Sequence, residues 1–87
     1  MKPGDIITPA NDEITVTTLG QGTGKRHVSY SHHWTRGALL TLLRPTSFRL
    51  GEDITNTMEG WLVKEPCGDI GFLPHDCAQL CEVVVVA

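Results

Sequence analysis

Seven histidine and cysteine side chains in this 87-residue sequence have the chemistry to hold a metal ion or to act as nucleophile or base: His27, His32, His33, His75, Cys67, Cys77 and Cys81. Zinc sites gather three or four such ligands at about 2.0–2.3 Å and are usually announced by tight pairs such as Cys-x-x-Cys. This chain offers Cys77-Ala-Gln-Leu-Cys81 and His32-His33 instead. Adjacent residues of a strand point to opposite faces, so His32 and His33 cannot both ligate from regular β structure. The histidines therefore read as surface and turn residues, and neither a metal nor another cofactor is expected. Cys77 follows His75 and Asp76, but nucleophilic triads are assembled in space from separate segments, so adjacency carries no weight. An odd number of cysteines, with no export signal, reads as reduced and partly buried thiols. Glu52-Asp53 would work as an acid–base pair only inside a cleft, and a turn beside Gly51 is usually solvated. No catalytic residue is expected.

Two further segments bear on chemistry. Gly20 to Lys25, GQGTGK, has the glycines and lysine of a phosphate-binding loop. A Walker loop, however, needs a glycine five residues before the Gly-Lys pair and a hydroxyl residue after it, and these positions hold Leu19 and Arg26. The strand-like His27-Val28-Ser29-Tyr30-Ser31 follows, where a phosphate cradle would open a helix. A glycine-rich hairpin loop is the better reading. Charge is also unevenly placed: the net charge is -3, yet Ile14 to Gly51 holds Lys25, Arg26, Arg36, Arg44 and Arg49 and no acid. Tyr30 and Trp34 stand among these cations, and small barrels bind single-stranded nucleic acid by stacking bases on exposed rings beside basic side chains. Lys25, Arg26, Tyr30 and Arg36 are accordingly the candidate nucleic-acid contacts. The competing reading places Tyr30 and Trp34 in the core of a chain that has few aromatics to spare.

The elements that must position these groups are short and mostly β. Eighty-seven residues make one domain, spanning 1–87, with a thin core. The apolar fraction of 40% and charged fraction of 20% are those of an ordinary globular chain. No apolar run approaches the roughly 20 residues of a membrane span, and the N-terminus lacks a signal-like core, so a soluble, cytoplasmic protein is expected. Ile6-Ile7 before Pro9 forms a short strand. Ile14 and Val16 alternate with Thr15 and Thr17 in a half-buried one. Trp34 to Pro45 is open: Leu39, Leu40, Leu42 and Leu43 fit a short helix over 35–43 or a buried strand, and Pro45 ends it either way. Strands follow at SFRL, ITNTM, WLV and IGFL, with turns at Gly51-Glu52-Asp53, at Glu59-Gly60 and around Pro66 to Asp69. Val83 to Val86 closes the chain as a strand so apolar that a free edge would associate, which makes a second copy of the chain a candidate partner.

Ser47-Phe48-Arg49-Leu50-Gly51-Glu52-Asp53-Ile54, then Gly60-Trp61, then Gly68-Asp69-Ile70-Gly71-Phe72-Leu73-Pro74 resemble, in order and spacing, the second half of a Src-homology-3 (SH3) domain; the likeness runs from Ser47 to Leu80. The resemblance implies a small antiparallel barrel with Trp61 and Pro74 on its ligand face and a helical turn after Pro74. The residues agree in their own terms: Gly68 and Gly71 suit positive φ and close strand approach around a hairpin tip, and Pro74 fixes φ where sheet gives way to a helical turn. The chain departs from the family in having Cys77 where a ligand-wall tyrosine belongs, no ring in Ala38-Leu39-Leu40-Thr41-Leu42, and no acidic loop. A further likeness, to type II dihydrofolate reductases, rests on Gly60-Trp61 and the late proline; Asp69-Ile70-Gly71-Phe72 replaces the Val-Gln-Ile-Tyr run of that family, and its activity is not implied.

The expectation is thus a mainly β chain folded as an SH3-like barrel, with a short helix at 35–43 as the alternative to a strand there. It would be a non-enzymatic binding module that self-associates, with Trp61, Phe72, Pro74 and Trp34 as ligand-binding residues. Single-stranded nucleic acid through segment 25–49 is the first alternative, and a small enzyme with its site at a subunit interface the second.

Overall fold

The structure, a computed structural model, describes residues 1–19, 29–49 and 57–87. Seven strands appear in these segments: β1 (Ile6–Pro9), β2 (Ile14–Leu19), β3 (Ser29–Trp34), β4 (Leu40–Arg49), β5 (Thr57–Lys64), β6 (Ile70–Pro74) and β7 (Cys81–Val85). One helical turn, α1 (His75–Ala78), separates β6 from β7. All pairings are antiparallel, in the order β3-β2-β6-β5-β4-β1-β7, and the sheet curls into a half-barrel whose two edges are β3 and β7. The mainly β expectation is met.

Alternation sets which face turns inward. In β2, Ile14, Val16 and Thr18 are buried while Thr15 and Thr17 are half-exposed. Ile7, Ile14, Val16, Leu40, Leu42, Trp61, Val63, Leu73 and Ala78 form one core cluster, with Trp34, Cys77 and Cys81 packed against it. The β2–β3 and β5–β6 hairpins stand where the residue pattern put them. The proposed loop at Gly20 to Lys25 and the turn at Gly51-Glu52-Asp53 lie outside the described residues.

One open alternative is decided and two expectations are corrected. Residues 35–43 are not helical: Thr35 to Leu39 are irregular, and β4 begins at Leu40. Leu40 and Leu42 are fully buried while Leu39 and Leu43 are exposed, a period of two that a helix cannot give. Nor does Pro45 end the element. β1 pairs with β4 only at Leu40 and Thr41, so among the described residues no strand lies along that edge of β4 at Pro45, and its missing N–H costs no ladder bond there. The register shift between Leu42 and Arg44 re-aims the strand just before it. Finally, Glu59-Gly60 is not a turn but the middle of β5, paired with Ser47 and Thr46.

The ends of the chain are tied together at Asp5, which is buried at 3% exposure. Its Oδ1 accepts the Ala87 N–H and its Oδ2 the Lys2 N–H, each at 2.9 Å. These backbone donors, Ala87 first, hold the Asp5 carboxyl below its ordinary value. After β6, Pro74 (φ −60°, ψ 151°) caps α1, as its fixed φ led one to expect, and Ala78 tucks under the sheet.

Candidate functional site

The most distinctive chemistry lies at the turn joining β5 to β6. That turn runs from Glu65 to Asp69 and is closed by Glu65 N–H donating to Asp69 O (2.8 Å) and Gly68 N–H donating to Glu65 O (2.9 Å). Gly68 takes φ +93° within it, the left-handed conformation expected of it. Glu65 continues the inward parity of Trp61 and Val63, so its side chain points into the half-barrel rather than into water. The residue is 2% exposed.

A buried carboxylate must be fully hydrogen-bonded. Glu65 is: Thr18 Oγ1 donates to Oε2 (2.8 Å), Trp34 Nε1–H donates to Oε1 (3.0 Å), and His32 Nδ1 lies 3.1 Å from Oε1. His32 Nδ1 is also 2.8 Å from Thr18 Oγ1. Because the single hydroxyl proton of Thr18 goes to Glu65, the proton shared between His32 and Thr18 belongs to the imidazole. The network therefore assigns the Nδ1–H tautomer to a neutral His32. The two rings of His32 and Trp34 meet edge to face, centroids 5.9 Å apart.

The sheet explains how four separate segments meet. His32 and Trp34 are two apart on β3 and share a face, opposite Val16 and Ile14 of β2. Thr18 lies diagonally from His32 on that face and is paired with Gly71 of β6. Gly71 is in turn paired with Val63 of β5, two residues before Glu65. Glu65 reaches Thr18 across β6 only because Gly71 has no side chain: a Cβ there would stand 2.5 Å from Val16 Cγ1 and 3.0 Å from Glu65 Oε2. Close approach, rather than a place at the hairpin tip, is the role of Gly71.

Cys67, exposed on the same turn, donates its S–H toward Asp69 Oδ2 at 3.4 Å. A ligand atom from each of His32, Glu65 and Cys67 lies within 4.8 Å of the other two. Beside the turn, a shallow concavity of about 430 Å³ opens between Gly37–Leu39 and Lys64–Pro66. His33, by contrast, faces outward, 3.1 Å from both Thr15 Oγ1 and Glu13 Oε1, so the two adjacent histidines do point opposite ways. His75 is exposed at the start of α1. The other thiols sit against the core, and burial beside Cys77 pushes the Cys81 thiol up to about 11, which keeps it protonated near neutrality.

Of the residues named for ligand binding, Trp61, Phe72 and Pro74 lie on the paired strands β5 and β6, and Trp34 on β3. Trp61 (7% exposed) and Phe72 (2%) are buried and do not offer open ring faces. Trp61 belongs to the core cluster, where so thin a core needs large inward-facing side chains as filling; Phe72, paired with Thr17 and Leu62, lies on the opposite face of the sheet. The remaining exposure of Trp61 borders a shallow concavity of about 380 Å³, shared with Met1, His75, Ala78 and Gln79. Pro74 is half-buried as the cap of α1, and Trp34 is half-buried with its N–H committed to Glu65. Of the nucleic-acid set, Arg36 is exposed in the turn before β4, Tyr30 lies on β3, and Lys25 and Arg26 lie outside the described residues. Glu65 and Thr18 were not singled out in the sequence. The available signal was the parity Trp61, Val63, Glu65, in which an acid occupies an inward position.

Compared with protein-family models, with curated proteins and with solved structures, the chain matches none. The structure itself defines the class: an antiparallel, mainly β half-barrel with one helical turn. No helix among the described residues is long and apolar enough to cross a membrane.

Proposed function

We propose that the protein is a small self-associating binding module of SH3-like build, which pairs with a second copy of itself through the free edge of β7. One observation carries this reading: among the described residues β7 is an outer strand of the sheet, hydrogen-bonded to β1 on one side, and Val83, Val84, Val85 and Val86 are between 37% and 71% exposed. An apolar, unpaired strand edge is a template for another strand, and soluble proteins normally blunt such edges with charge or proline. Here the only charge on β7 is Glu82.

The strand is also compatible with itself. An antiparallel twofold pairing centred on Val84 sets Val83 against Val85 and Glu82 against Val86, so no like charges face each other. The curled sheet, the Gly68 turn and the Pro74-capped helical turn support the SH3-like reading, in which the module works by contact rather than by covalent chemistry. A five-residue edge contact is small beside the roughly 1,000 Å² of a specific stable interface, so the dimer is concentration-dependent.

Light scattering coupled to size-exclusion chromatography at two protein concentrations tests this. The wild type moves toward twice the monomer mass at the higher concentration, and Val84→Lys stays monomeric with an unchanged circular dichroism spectrum. A wild type that is monomeric at both concentrations overturns the proposal.

A further inference from the structure

We infer that His32, Glu65 and Cys67 form a binding site for a divalent transition-metal ion of the zinc class, with a fourth position left to water. The site stands independently of the β7 edge. Its donor set is an imidazole nitrogen, a carboxylate oxygen and a thiolate sulfur, a combination suited to borderline-soft ions and unsuited to magnesium or calcium, which take oxygen ligands.

The geometry is close to what such an ion requires. Bonds of about 2.0–2.3 Å in a tetrahedron put ligand atoms roughly 3.3–3.7 Å apart. His32 Nδ1 and Glu65 Oε1 are 3.1 Å apart, and the three donors lie within 4.8 Å of one another. Cys67 therefore has on the order of 1 Å to travel, and it sits exposed on the turn, whereas His32 and Glu65 are held by the sheet.

What separates this cluster from a chance surface trio is its support. The Glu65 side chain is 0% exposed, and both of its oxygens are already oriented, Oε2 by the Thr18 hydroxyl and Oε1 by the Trp34 indole N–H. Oε1 retains a lone pair for the ion beside the one that Trp34 engages. Donors that fix ligating carboxylates and imidazoles in this way are typical of metal sites, and the absence of a side chain at Gly71 lets the carboxylate take this place against β6.

Loading the site balances simply. The Cys67 S–H bond breaks, its electron pair becomes the sulfur–metal bond, and the proton leaves by way of Asp69 Oδ2, which already accepts that S–H. The neutral His32 ring ligates through Nδ1 and carries its proton on Nε2 instead. No oxidant or reductant is involved, and one proton is released per ion.

The test is a Co²⁺ titration of the full chain under reducing, chelator-free conditions. One equivalent should bind, with a thiolate-to-cobalt charge-transfer band in the near ultraviolet and the intense visible bands of four-coordination; Zn²⁺ should then displace it. Cys67→Ser should abolish the charge-transfer band while circular dichroism is unchanged, whereas Cys77→Ser and Cys81→Ser should retain it. Trp34→Phe, which leaves all three ligands in place, should weaken binding by about ten- to a hundredfold. His32→Gln gives a second ligand deletion, made on a half-exposed side chain. Absence of the thiolate band in the wild type, its survival in Cys67→Ser, or its loss in Cys77→Ser or Cys81→Ser would overturn the inference.

Discussion

Replacing Thr18 by valine removes one oxygen from the centre of the Glu65 network while keeping the shape of the side chain. Thr18 is 3% exposed, and its hydroxyl stands 2.8 Å from both Glu65 Oε2 and His32 Nδ1. A hydrogen bond to a charged group contributes about 1.5–3 kcal/mol. The methyl that replaces the hydroxyl returns about 0.8 kcal/mol by burial. The net loss should be about 1–2 kcal/mol, which in a domain of this size lowers the melting temperature by roughly 4–16 °C. Thr15→Val on the same strand is the matched control, because the bond from Thr15 Oγ1 to His33 Nδ1 is exposed. It should change stability by no more than about 0.5 kcal/mol. Urea unfolding followed by tryptophan fluorescence measures both, with an unchanged m-value showing that stability rather than compactness has moved. If Thr18→Val is as neutral as Thr15→Val, Glu65 is not held in the interior as described, and the reasoning behind the site fails.

Two more outcomes follow from the packing and from the chain ends. Gly60→Ala should destabilise by about 3 kcal/mol, the upper end for overpacking, since its Cβ would press on the backbone carbonyl of Leu73 and on Phe72 Cζ; thermal melts read this directly. Asp5 has a folded-state value below its unfolded one, so its contribution is present above the ordinary carboxylate range and is lost as pH falls through the folded value. The melting temperature of the wild type should drop as pH is taken below about 4, and Asp5→Asn should both lower it at neutral pH and flatten that acid limb. An identical pH profile in the variant would remove Asp5 as the clasp between the chain ends.

Much of the fold was legible wherever neighbours along the chain decide the outcome. The alternation of Ile14 and Val16 with Thr15 and Thr17 marked β2 and its inner face, the opposite facing of His32 and His33 followed from strand geometry, and Pro74 announced the change from sheet to helical turn. Each depends on a few adjacent residues and on backbone sterics. Leucine composition left 35–43 open between helix and strand, because helix preference is a matter of tenths of a kcal/mol per residue, while the burial of Leu40 and Leu42 between β1 and β5, worth several times that, decided for the strand. Glu59-Gly60 looked like a turn because a glycine needed for close approach to a neighbouring strand is written with the same letter as one needed for a bend.

The sequence by itself determined a mainly β chain with short strands, the turn before β6 and the alternation that separates an inner face from an outer one. Only the tertiary structure decided which inner residues meet. Trp61 could be a ligand wall or core until the curl of the sheet enclosed it. Glu65 could be one more charged turn residue until Gly71, paired with Thr18 on one side and Val63 on the other, let it reach across β6. Such meetings join residues up to 47 positions apart, and they depend on strand order and register. Those are set by the packing of the whole sheet, so no local pattern could have shown His32, Trp34, Thr18 and Glu65 converging on one point.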